Sequence, residues 1–297
     1  MFLILDQQLT EFSRRLKNVA ERKGLETLVL TSAEIARDLV LVFHLSDKGV
    51  KFQLSFQGTS IESHCIDGVY CGINAFEPKL WDQFSSKDAE YAAWETQALW
   101  LAILASLPCQ VVNPPALDTM AGTLLSTPEI LYFAHRLGFQ IPAIVSLESG
   151  KVTAELLSSG VTARYADLGD AWISEKSSSR VDLSLLEQKE NHFRVTEEIP
   201  GRMMSVALVG SRFFACALDS EDTLTPITYR QIPRLVRTRL RTLHKWLNLN
   251  VAEYYFHVTA KDTWIFSGCG RPPTLAVTAF GDAIFEHIIN FAVGKGK

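Results

Sequence analysis

The most distinctive charged segment of the sequence lies between residues 230 and 245. Four of its basic residues recur at helical spacing: Arg234, Arg237, Arg241 and Lys245. Four apolar residues mark the opposite face of the same predicted helix: Val236, Leu240, Leu243 and Leu247. This pattern is typical of an amphipathic helix at the surface, and it leaves open a second use as a basic groove for an acidic peptide.

Thiols and imidazoles offer little catalytic chemistry in this chain. The five cysteines form no CxxC pair and no Cys/His cluster at zinc-ligand spacing: Cys65, Cys71, Cys109, Cys216 and Cys269. We predict that they are free thiols in a reducing compartment. Cys269 would be reactive if exposed, but the surrounding GCG segment lacks the length and the lysine of a phosphate-binding loop.

Composition excludes several classes of protein. The 297 residues are 47% hydrophobic and 21% charged, as in ordinary globular proteins. A formal net charge of −4 does not favour nucleic acid as a partner. The first residues lack the basic segment of a secretory signal, and no apolar run approaches the roughly 20 residues that span a bilayer. We therefore expect a cytoplasmic protein that binds neither membrane nor nucleic acid.

The amino-terminal third of the sequence reads as an α/β unit. Residues 1–5, 12–22 and 25–30 predict strand, helix and strand, the start of a parallel sheet. Further strands are predicted at residues 39–43, 50–56 and 67–71. Residues 88–105 predict a long helix. Five residues recur at helical spacing along it and predict its apolar face: Tyr91, Trp94, Ala98, Leu101 and Ala105.

The remaining sequence begins with the rigid crossing VVNPP at residues 111–115. A helix capped by Ser126 follows and ends at Leu137-Gly138. A hairpin is predicted around Gly169-Asp170, with a short helix after it at residues 182–189. Two strand pairs, at residues 203–218 and 253–266, flank the basic helix, and a last helix is predicted at residues 281–292.

Three segments carry a resemblance to a known family. Residues 113–142 place an Asn-Pro crossing before a helix and GFQIP after it, residues 198–218 read EIPGRMMSVALVGSRFFACAL, and residues 251–273 read VAEYYFHVTAKDTWIFSGCGRPP. In this order they resemble the ATP-grasp ligases, and among these the microviridin-type maturases of ribosomally made peptides. The resemblance covers nearly the whole chain and implies an ATP-grasp fold.

An ATP-grasp ligase phosphorylates a carboxylate, which requires cations along the triphosphate and oxygen ligands for Mg²⁺. The resemblance aligns the first nucleotide-facing lysine with Ser126-Thr127-Pro128 and the second with Tyr165. It aligns the catalytic arginine with Ser205, and the acidic residue before it with Met203. These replacements remove the charges that would bind and activate the nucleotide.

The magnesium ligands of the family are replaced as well. The first aspartate aligns with Tyr255, and the Glu-x-Asn pair aligns with Ser267 and Cys269. A thiol is a poor Mg²⁺ ligand, and no acidic residue lies within residues 265–279. We therefore predict no catalytic residue, no nucleotide cofactor and no metal site.

What the resemblance retains is a place for a peptide. In the maturases the central subdomain binds the leader of the precursor peptide through a β-hairpin and an adjacent helix, which match residues 163–176 and 181–190. Six residues are predicted to contact the peptide: Arg164, Tyr165, Trp172, Asp182, Glu187 and Glu190. The hairpin edge would accept an extended strand, with the aromatic rings as anchors and the acids paired with basic peptide residues. The alternative is that the rings are core and the acids a solvated helix face.

The predicted fold class is α/β, with α+β in the grasp half: a truncated ATP-grasp-like architecture behind an amino-terminal parallel-sheet domain. The predicted domains are residues 1–112, a reduced central subdomain at residues 113–198, and the grasp subdomain at residues 199–297. ATP-grasp maturases are often homodimers, so we expect dimerisation through the amino-terminal domain or its long helix.

These features predict a noncatalytic protein that binds a ribosomally made precursor peptide and presents it to modifying enzymes. It would then be similar to the noncatalytic ATP-grasp-like proteins of the crocagin pathway. Two alternatives stay open. One is an active or rewired ligase, in which Arg164, Arg202, Arg212 and Arg271 neutralise a phosphate or carboxylate. The other is a pseudoenzyme subunit that stabilises a partner ligase.

Overall fold

The computed structural model describes residues 1–47, 49–116, 119–123, 125–142, 144–147, 193–196, 201–219 and 223–294. Two units of the fold matter most for function. The first is built on a parallel sheet near the amino terminus, and the second on an antiparallel sheet near the carboxy terminus. The predicted α/β class, with α+β in the second half, is confirmed.

The parallel sheet has the strand order β2-β1-β6-β7. Its strands are β1 (Phe2–Asp6), β2 (Thr27–Thr31), β6 (Gly68–Cys71) and β7 (Gln110–Val112). Every residue of β1 is buried, because helices cover both faces of the sheet, as is usual for parallel strands. On one face lie α1 (Glu11–Arg22) and α7 (Asp282–Ala292), and on the other α3 (Ser86–Ser106).

A small antiparallel sheet and a short helix complete the first unit. Its strands are β3 (Val40–Ser46), β4 (Gly49–Phe56) and β5 (Thr59–Glu62), paired in that order. The helix α2 (Ser32–Arg37) is capped by Thr31, whose hydroxyl and backbone N–H both donate to the Glu34 carboxylate. The strands of the first hairpin were predicted, whereas β5 and α2 were not.

The predicted apolar face of α3 is wrong. Tyr91 is 67% exposed and Trp94 is 76% exposed. The residues that pack into the core are instead Ala89, Ala93, Trp100, Ile103 and Leu104. Since apolar residues occur around most of this helix, their spacing does not select the buried face. Two large aromatic side chains are therefore left on the surface, one turn apart.

The antiparallel sheet of the second unit has the order β12-β11-β10-β13-β14. These strands are β10 (Arg202–Val209), β11 (Arg212–Leu218), β12 (Leu224–Ile227), β13 (Val251–Val258) and β14 (Trp264–Gly270). Two helices, α4 (Thr127–Arg136) and α5 (Arg234–Trp246), pack on one face of this sheet. The amphipathic prediction for α5 is confirmed, because the four predicted apolar residues are buried.

The other face of the antiparallel sheet is covered in part by α6 (Thr274–Phe280) and by α7. The core between them contains Phe2 and Ile4 of β1 as well as Ala207 of β10, so one hydrophobic cluster joins the two units. The helix α6 was not predicted. No described helix is by itself long and apolar enough to cross a bilayer; α6 and α7 satisfy that test only together, bent by 117° at their junction.

Asn113 of the VVNPP crossing fastens one unit to the other. Its amide oxygen accepts the backbone N–H groups of Asn250 and Val251, both at 2.8 Å, and its amide nitrogen donates to the carbonyl of Val251 at 2.9 Å. The residue is buried and has a φ of 53°, a backbone conformation that asparagine tolerates better than most residues. The crossing is therefore held by a side chain that acts as a further strand partner.

Between the two units, β8 (Ile144–Leu147) pairs antiparallel with β9 (Phe193–Thr196). The hairpin predicted at residues 161–175 and the helix predicted at residues 182–189 lie outside the described residues. The pairing of β8 with β9 brings the two ends of this segment together. The division of the chain at residues 112 and 198 stays a prediction.

His244 of α5 is buried against the sheet, with its Nδ1 at 2.7 Å from the Tyr254 hydroxyl. Burial lowers the pKa of this imidazole to about 4. As the pH falls, the unfolded chain takes up the proton first, at its ordinary pKa of about 6.5. We expect the free energy of unfolding to decrease by up to about 3 kcal/mol between about pH 6.5 and pH 4.

Urea unfolding of the wild type and of His244→Gln, each at several pH values, measures this dependence. The glutamine variant has no titrating group at this position and is expected to show a flatter profile over the same range. Equal slopes for the two proteins would contradict the assignment.

Candidate functional site

A row of four residues crosses the centre of the antiparallel sheet. Ser205 of β10 lies opposite Cys216 of β11 on one side and opposite Tyr255 of β13 on the other. Tyr255 in turn lies opposite Gly268 of β14. Ser205, Cys216 and Tyr255 are all buried, with exposed fractions of 3% or less. Two residues of this row were predicted to replace functional groups of the family: Ser205 the catalytic arginine and Tyr255 the first magnesium aspartate. Ser267 and Cys269, aligned with the Glu-x-Asn pair, flank Gly268 on β14.

None of the four side chains in this row carries a charge that could meet a phosphate or a metal ion. The row contains the hydroxyl of Ser205, the thiol of Cys216 and the phenol of Tyr255, and Gly268 has no side chain. The described residues contain no group of three or more His, Cys, Asp or Glu side chains that could hold a metal ion. The row itself therefore offers hydrogen-bonding groups but no carboxylate or amide side chain that could bind Mg²⁺.

The nearest carboxylate to this row is Glu253, two residues before Tyr255 on β13. It is fully buried and accepts four hydrogen bonds. Ser205 Oγ donates to it at 2.5 Å, and the Tyr255 hydroxyl donates at 3.3 Å. The backbone N–H groups of Leu275 and Ala276, in the first turn of α6, donate at 3.1 and 2.8 Å. Glu253 thus joins the strand row to the start of a helix.

The environment of Glu253 is that of a structural carboxylate. Burial raises its pKa above the usual range, and the hydrogen bonds from Ser205, the two backbone amides and Tyr255 oppose that shift. No basic side chain pairs with it among the described residues. Since its oxygens point to the helix and to the row, this carboxylate is closed off from any ligand above the sheet.

The thiols near the row are not activated. Burial raises the pKa of the Cys216 and Cys269 thiols to about 12, so both are protonated at neutral pH. All five cysteines are free. The reactive alternative for Cys269 is therefore not favoured, since a thiolate, and not a thiol, is the nucleophile.

The position expected to carry the first nucleotide-facing lysine has a structural task. Ser126 precedes α4, and both its hydroxyl and its backbone N–H donate to Glu129 at 2.7 Å. These bonds hold the pKa of Glu129 below its usual range. The predicted cap is confirmed, and the helix begins with an acid instead of a base.

Three of the four arginines of the rewired-enzyme alternative lie among the described residues. Arg202 contacts the sulfur of Met204, Arg212 lies with Cζ 5.5 Å from the Phe214 ring centre, and Arg271 donates to the carbonyl of Ala121. Each of these three is engaged by a different neighbour. Arg164, the fourth, lies outside the described residues.

The residues predicted to bind the peptide also lie outside the described residues: Arg164, Tyr165, Trp172, Asp182, Glu187 and Glu190. Their roles stay predictions. The sequence reasoning did not identify Glu253, although a single acid within the otherwise apolar stretch VAEYYFHV is a signal for a buried and hydrogen-bonded carboxylate.

The fold that carries this row is the fold of the ATP-grasp ligases that act on ribosomally made peptides, which confirms the predicted resemblance. The chain matches the crystal structure of the macrocyclase MdnC bound with precursor peptide MdnA from Microcystis aeruginosa, with 18% identity and a TM-score of 0.72 over 99% of both chains. The macrocyclase MdnB from the same organism gives 18% identity and a TM-score of 0.69, over 98% of both chains.

A third similar structure is a RiPP-associated ATP-grasp ligase from Chryseobacterium gregarium, in complex with ADP and a leader and core peptide. It is 14% identical, with a TM-score of 0.71 over 100% of this chain and 97% of that one. No family model matches the sequence, and no curated protein matches it. At these identities the likeness establishes the fold.

Proposed function

We propose that this protein binds a ribosomally made precursor peptide and presents it to modifying enzymes, without catalysing a reaction itself. The observation that carries the proposal is the pairing of two uncharged residues, Ser205 and Tyr255, at the positions that the resemblance aligns with the catalytic arginine and the first magnesium aspartate. The carboxylate beside the row, Glu253, is occupied by four internal hydrogen bonds. In the part that the structure describes, a site built in this way lacks the charges that phosphoryl transfer requires.

The similar structures support the peptide part of the proposal. MdnC was solved with its precursor peptide, and the Chryseobacterium gregarium ligase with a leader and a core peptide. In this chain the pairing of β8 with β9 frames the segment in which the six peptide-binding residues are predicted. The proposed ligand is an extended peptide that adds a strand to the hairpin edge, with main-chain bonds providing affinity and alternate side chains providing selectivity.

Calorimetric titration tests both parts of the proposal. We expect no detectable heat with ATP and Mg²⁺ up to about millimolar nucleotide, and precursor binding in the micromolar range without any nucleotide. Precursor affinity is expected to change less than about twofold when ATP and Mg²⁺ are added. Micromolar nucleotide binding would favour the alternative of an active or rewired ligase. Absence of precursor binding would overturn the peptide role.

The exposed aromatic residues of α3 support a homodimer. Tyr91 and Trp94 lie one turn apart on the outer face of this helix, and Val40 and Val42 of the neighbouring sheet are 61% and 41% exposed. Large exposed apolar side chains on a well-packed domain mark interaction surfaces. A second copy of the chain is the proposed occupant, in line with the dimer expected from the sequence.

Charge introduced on this helix is expected to dissociate the dimer. Tyr91→Glu with Trp94→Glu would bury two carboxylates in the interface, and we expect the dissociation constant to rise at least about tenfold. Light scattering over a concentration series gives the mass directly. Tyr132→Glu on α4, where the tyrosine is 55% exposed, is the matched control and should remain dimeric. A wild-type protein that is monomeric at high concentration would remove the dimer from the proposal.

The proposed location is the cytoplasm. Free thiols at all five cysteine positions agree with a reducing compartment, where ribosomally made peptides are synthesised and modified.

A further inference from the structure

The outer side of α5 carries a surface in which cations and aromatic rings alternate. We call it the basic–aromatic surface, and it consists of Arg234, Arg237, Arg241, Lys245, Tyr229 and Trp246. All of these side chains are at least partly exposed; the tyrosine and the tryptophan are 43% and 53% exposed. Exposed apolar groups rimmed by polar residues mark interaction sites where they form a contiguous patch.

The surface is organised by contacts between its own members. The Arg237 guanidinium lies over the Tyr229 ring, with Cζ 3.9 Å from its centre. Arg241 donates to the Tyr229 hydroxyl at 3.2 Å and lies over the Phe213 ring at 4.9 Å. These contacts hold the guanidinium groups beside aromatic rings, where they are attracted to the ring faces yet keep their charge.

A second aromatic group extends the surface onto α4. Trp246 meets the Phe133 ring edge-on at 6.3 Å, and Phe133 meets Tyr132 in the same way at 6.0 Å. Arg136 donates to the Tyr132 hydroxyl at 3.1 Å and lies beside its ring. The outer sides of α4 and α5 therefore both present arginine side chains beside exposed aromatic rings.

None of the carboxylates that the structure describes forms a salt bridge with these cations. The sequence contains no Asp or Glu between residues 223 and 252, and none of the salt bridges among the described residues includes Arg136 or a cation of α5. Elsewhere on the same protein the pattern is different, since Arg15 and Arg22 both pair with Asp282. A chain with a formal net charge of −4 thus concentrates positive charge on one face, where no described carboxylate pairs with it.

This face lies on the opposite side of the sheet from the candidate site. The helices α4 and α5 pack on Met204, Val206 and Tyr254, whose side chains alternate along the strands with those of Ser205 and Tyr255. A partner bound to the basic–aromatic surface therefore does not contact the other face of the sheet.

We infer that the basic–aromatic surface is a docking site for an acidic polypeptide segment of the enzyme to which the precursor is presented. The inference rests on the proposed function for the identity of the partner, and on charge complementarity for its chemistry. Carboxylates on an extended segment pair with the guanidinium groups in bidentate geometry, while its apolar side chains cover the exposed rings. A protein that presents a peptide needs such a second surface, because the enzyme must be recruited without displacing the peptide.

A polypeptide fits these observations better than a nucleic acid. The excess negative charge over the rest of the chain opposes the approach of a long polyanion, whereas a short acidic segment meets only the local field. The Debye length of about 10 Å at 0.1 M salt is short compared with the molecule, so the local cations dominate at contact.

The probe is a fluorescein-labelled peptide of alternating glutamate and alanine, compared with its glutamine counterpart by fluorescence anisotropy. Arg234→Glu with Lys245→Glu reverses two charges whose side chains make no described hydrogen bond or salt bridge, so folding should be unaffected. We expect at least about a tenfold loss of affinity for the glutamate peptide. The control Arg14→Glu with Lys17→Glu changes the net charge of the protein equally, and its affinity should change less than about twofold.

Further comparisons separate this inference from the proposed function. The affinity of the wild-type protein for the glutamate peptide should fall severalfold between about 50 and about 300 mM salt. The affinity for the precursor should be the same in the wild type and in both charge-reversal variants. If the wild-type protein binds the glutamate peptide but not the precursor, the proposed function is contradicted and the docking site is still supported. Equal binding of the glutamine peptide, or tighter binding of an RNA oligonucleotide of the same charge that displaces the peptide, would overturn the inference.

Discussion

Glu253→Ala is expected to lower the free energy of unfolding by about 4 kcal/mol, at the upper end of the effects of single substitutions. Alanine leaves four buried donors without an acceptor: two hydroxyl groups and two backbone amides of α6. It also leaves a cavity in the wall between β13 and the helix. The start of α6 loses its attachment as well, because both backbone amides that bind the carboxylate belong to its first turn. Denaturant unfolding followed by far-UV circular dichroism measures the loss.

The matched control is Glu253→Gln, which keeps the shape and one acceptor oxygen. We expect a smaller loss, about 1–2 kcal/mol at low pH, since the amide group must now face hydroxyl and backbone donors. The pH dependence distinguishes the two proteins further. Burial raises the folded-state pKa of the glutamate, so the unfolded chain loses its proton first as the pH rises above about 4.5.

The free energy of unfolding of the wild type therefore decreases as the pH rises above about 4.5, whereas the glutamine variant has no titrating group at this position. The difference between the two proteins should shrink as the pH increases. A difference that grows with pH would show that the carboxylate is instead stabilised in its charged form.

The architecture was largely predictable, because continuous apolar runs and helix caps determine it locally. The run FLILD is buried on both faces of a parallel sheet, and the spacing of Val236, Leu240 and Leu243 identified the buried side of α5. Local patterns failed where both sides of an element are apolar. The helix α3 carries apolar residues on most of its surface, so only the tertiary contacts of Trp100 and Ile103 show which side is inside.

The chemistry of the row was predictable in part, because it depends on which residue types are present. The sequence shows that Ser205 and Tyr255 are uncharged, and their replacement of charged groups of the family stays a prediction. The role of Glu253 could not be predicted, since it depends on the approach of Leu275 and Ala276 from a helix that the sequence did not predict. Contacts between residues far apart in sequence decide whether a carboxylate is a ligand or a cap.

For the basic helix α5 as well, the sequence predicts the local pattern but not the tertiary contacts. Its amphipathic spacing was visible in the sequence, whereas the stacking of Arg237 and Arg241 on Tyr229 and Phe213 depends on the packing of a 3₁₀ turn and a strand against α5. Those contacts distinguish a prearranged surface from a generic charged helix face, because they restrict where the guanidinium groups lie.

Tyr165→Ala with Trp172→Ala is expected to lower precursor affinity by at least about 100-fold, the largest binding effect that the proposed function predicts. In a groove that accepts an added strand, main-chain bonds are retained in the double variant, and the lost affinity reflects the aromatic anchors. Truncation of one such anchor typically costs about 2 kcal/mol or more, and two anchors in one groove bring the total into this range.

Charge neutralisation on the adjacent segment provides a graded comparison. Asp182→Asn with Glu187→Gln should weaken binding about threefold to tenfold and reduce its salt dependence, because solvent-exposed ion pairs contribute little each. Phe84→Ala, which truncates an aromatic side chain that is 51% exposed in the amino-terminal unit, is the matched control and should bind as the wild type does. Circular dichroism must show an unchanged fold for the double aromatic variant, since the alternative places these rings in the core. An aromatic variant that folds and binds normally would exclude the hairpin from the peptide site, whereas one that unfolds would support the core alternative for Tyr165 and Trp172.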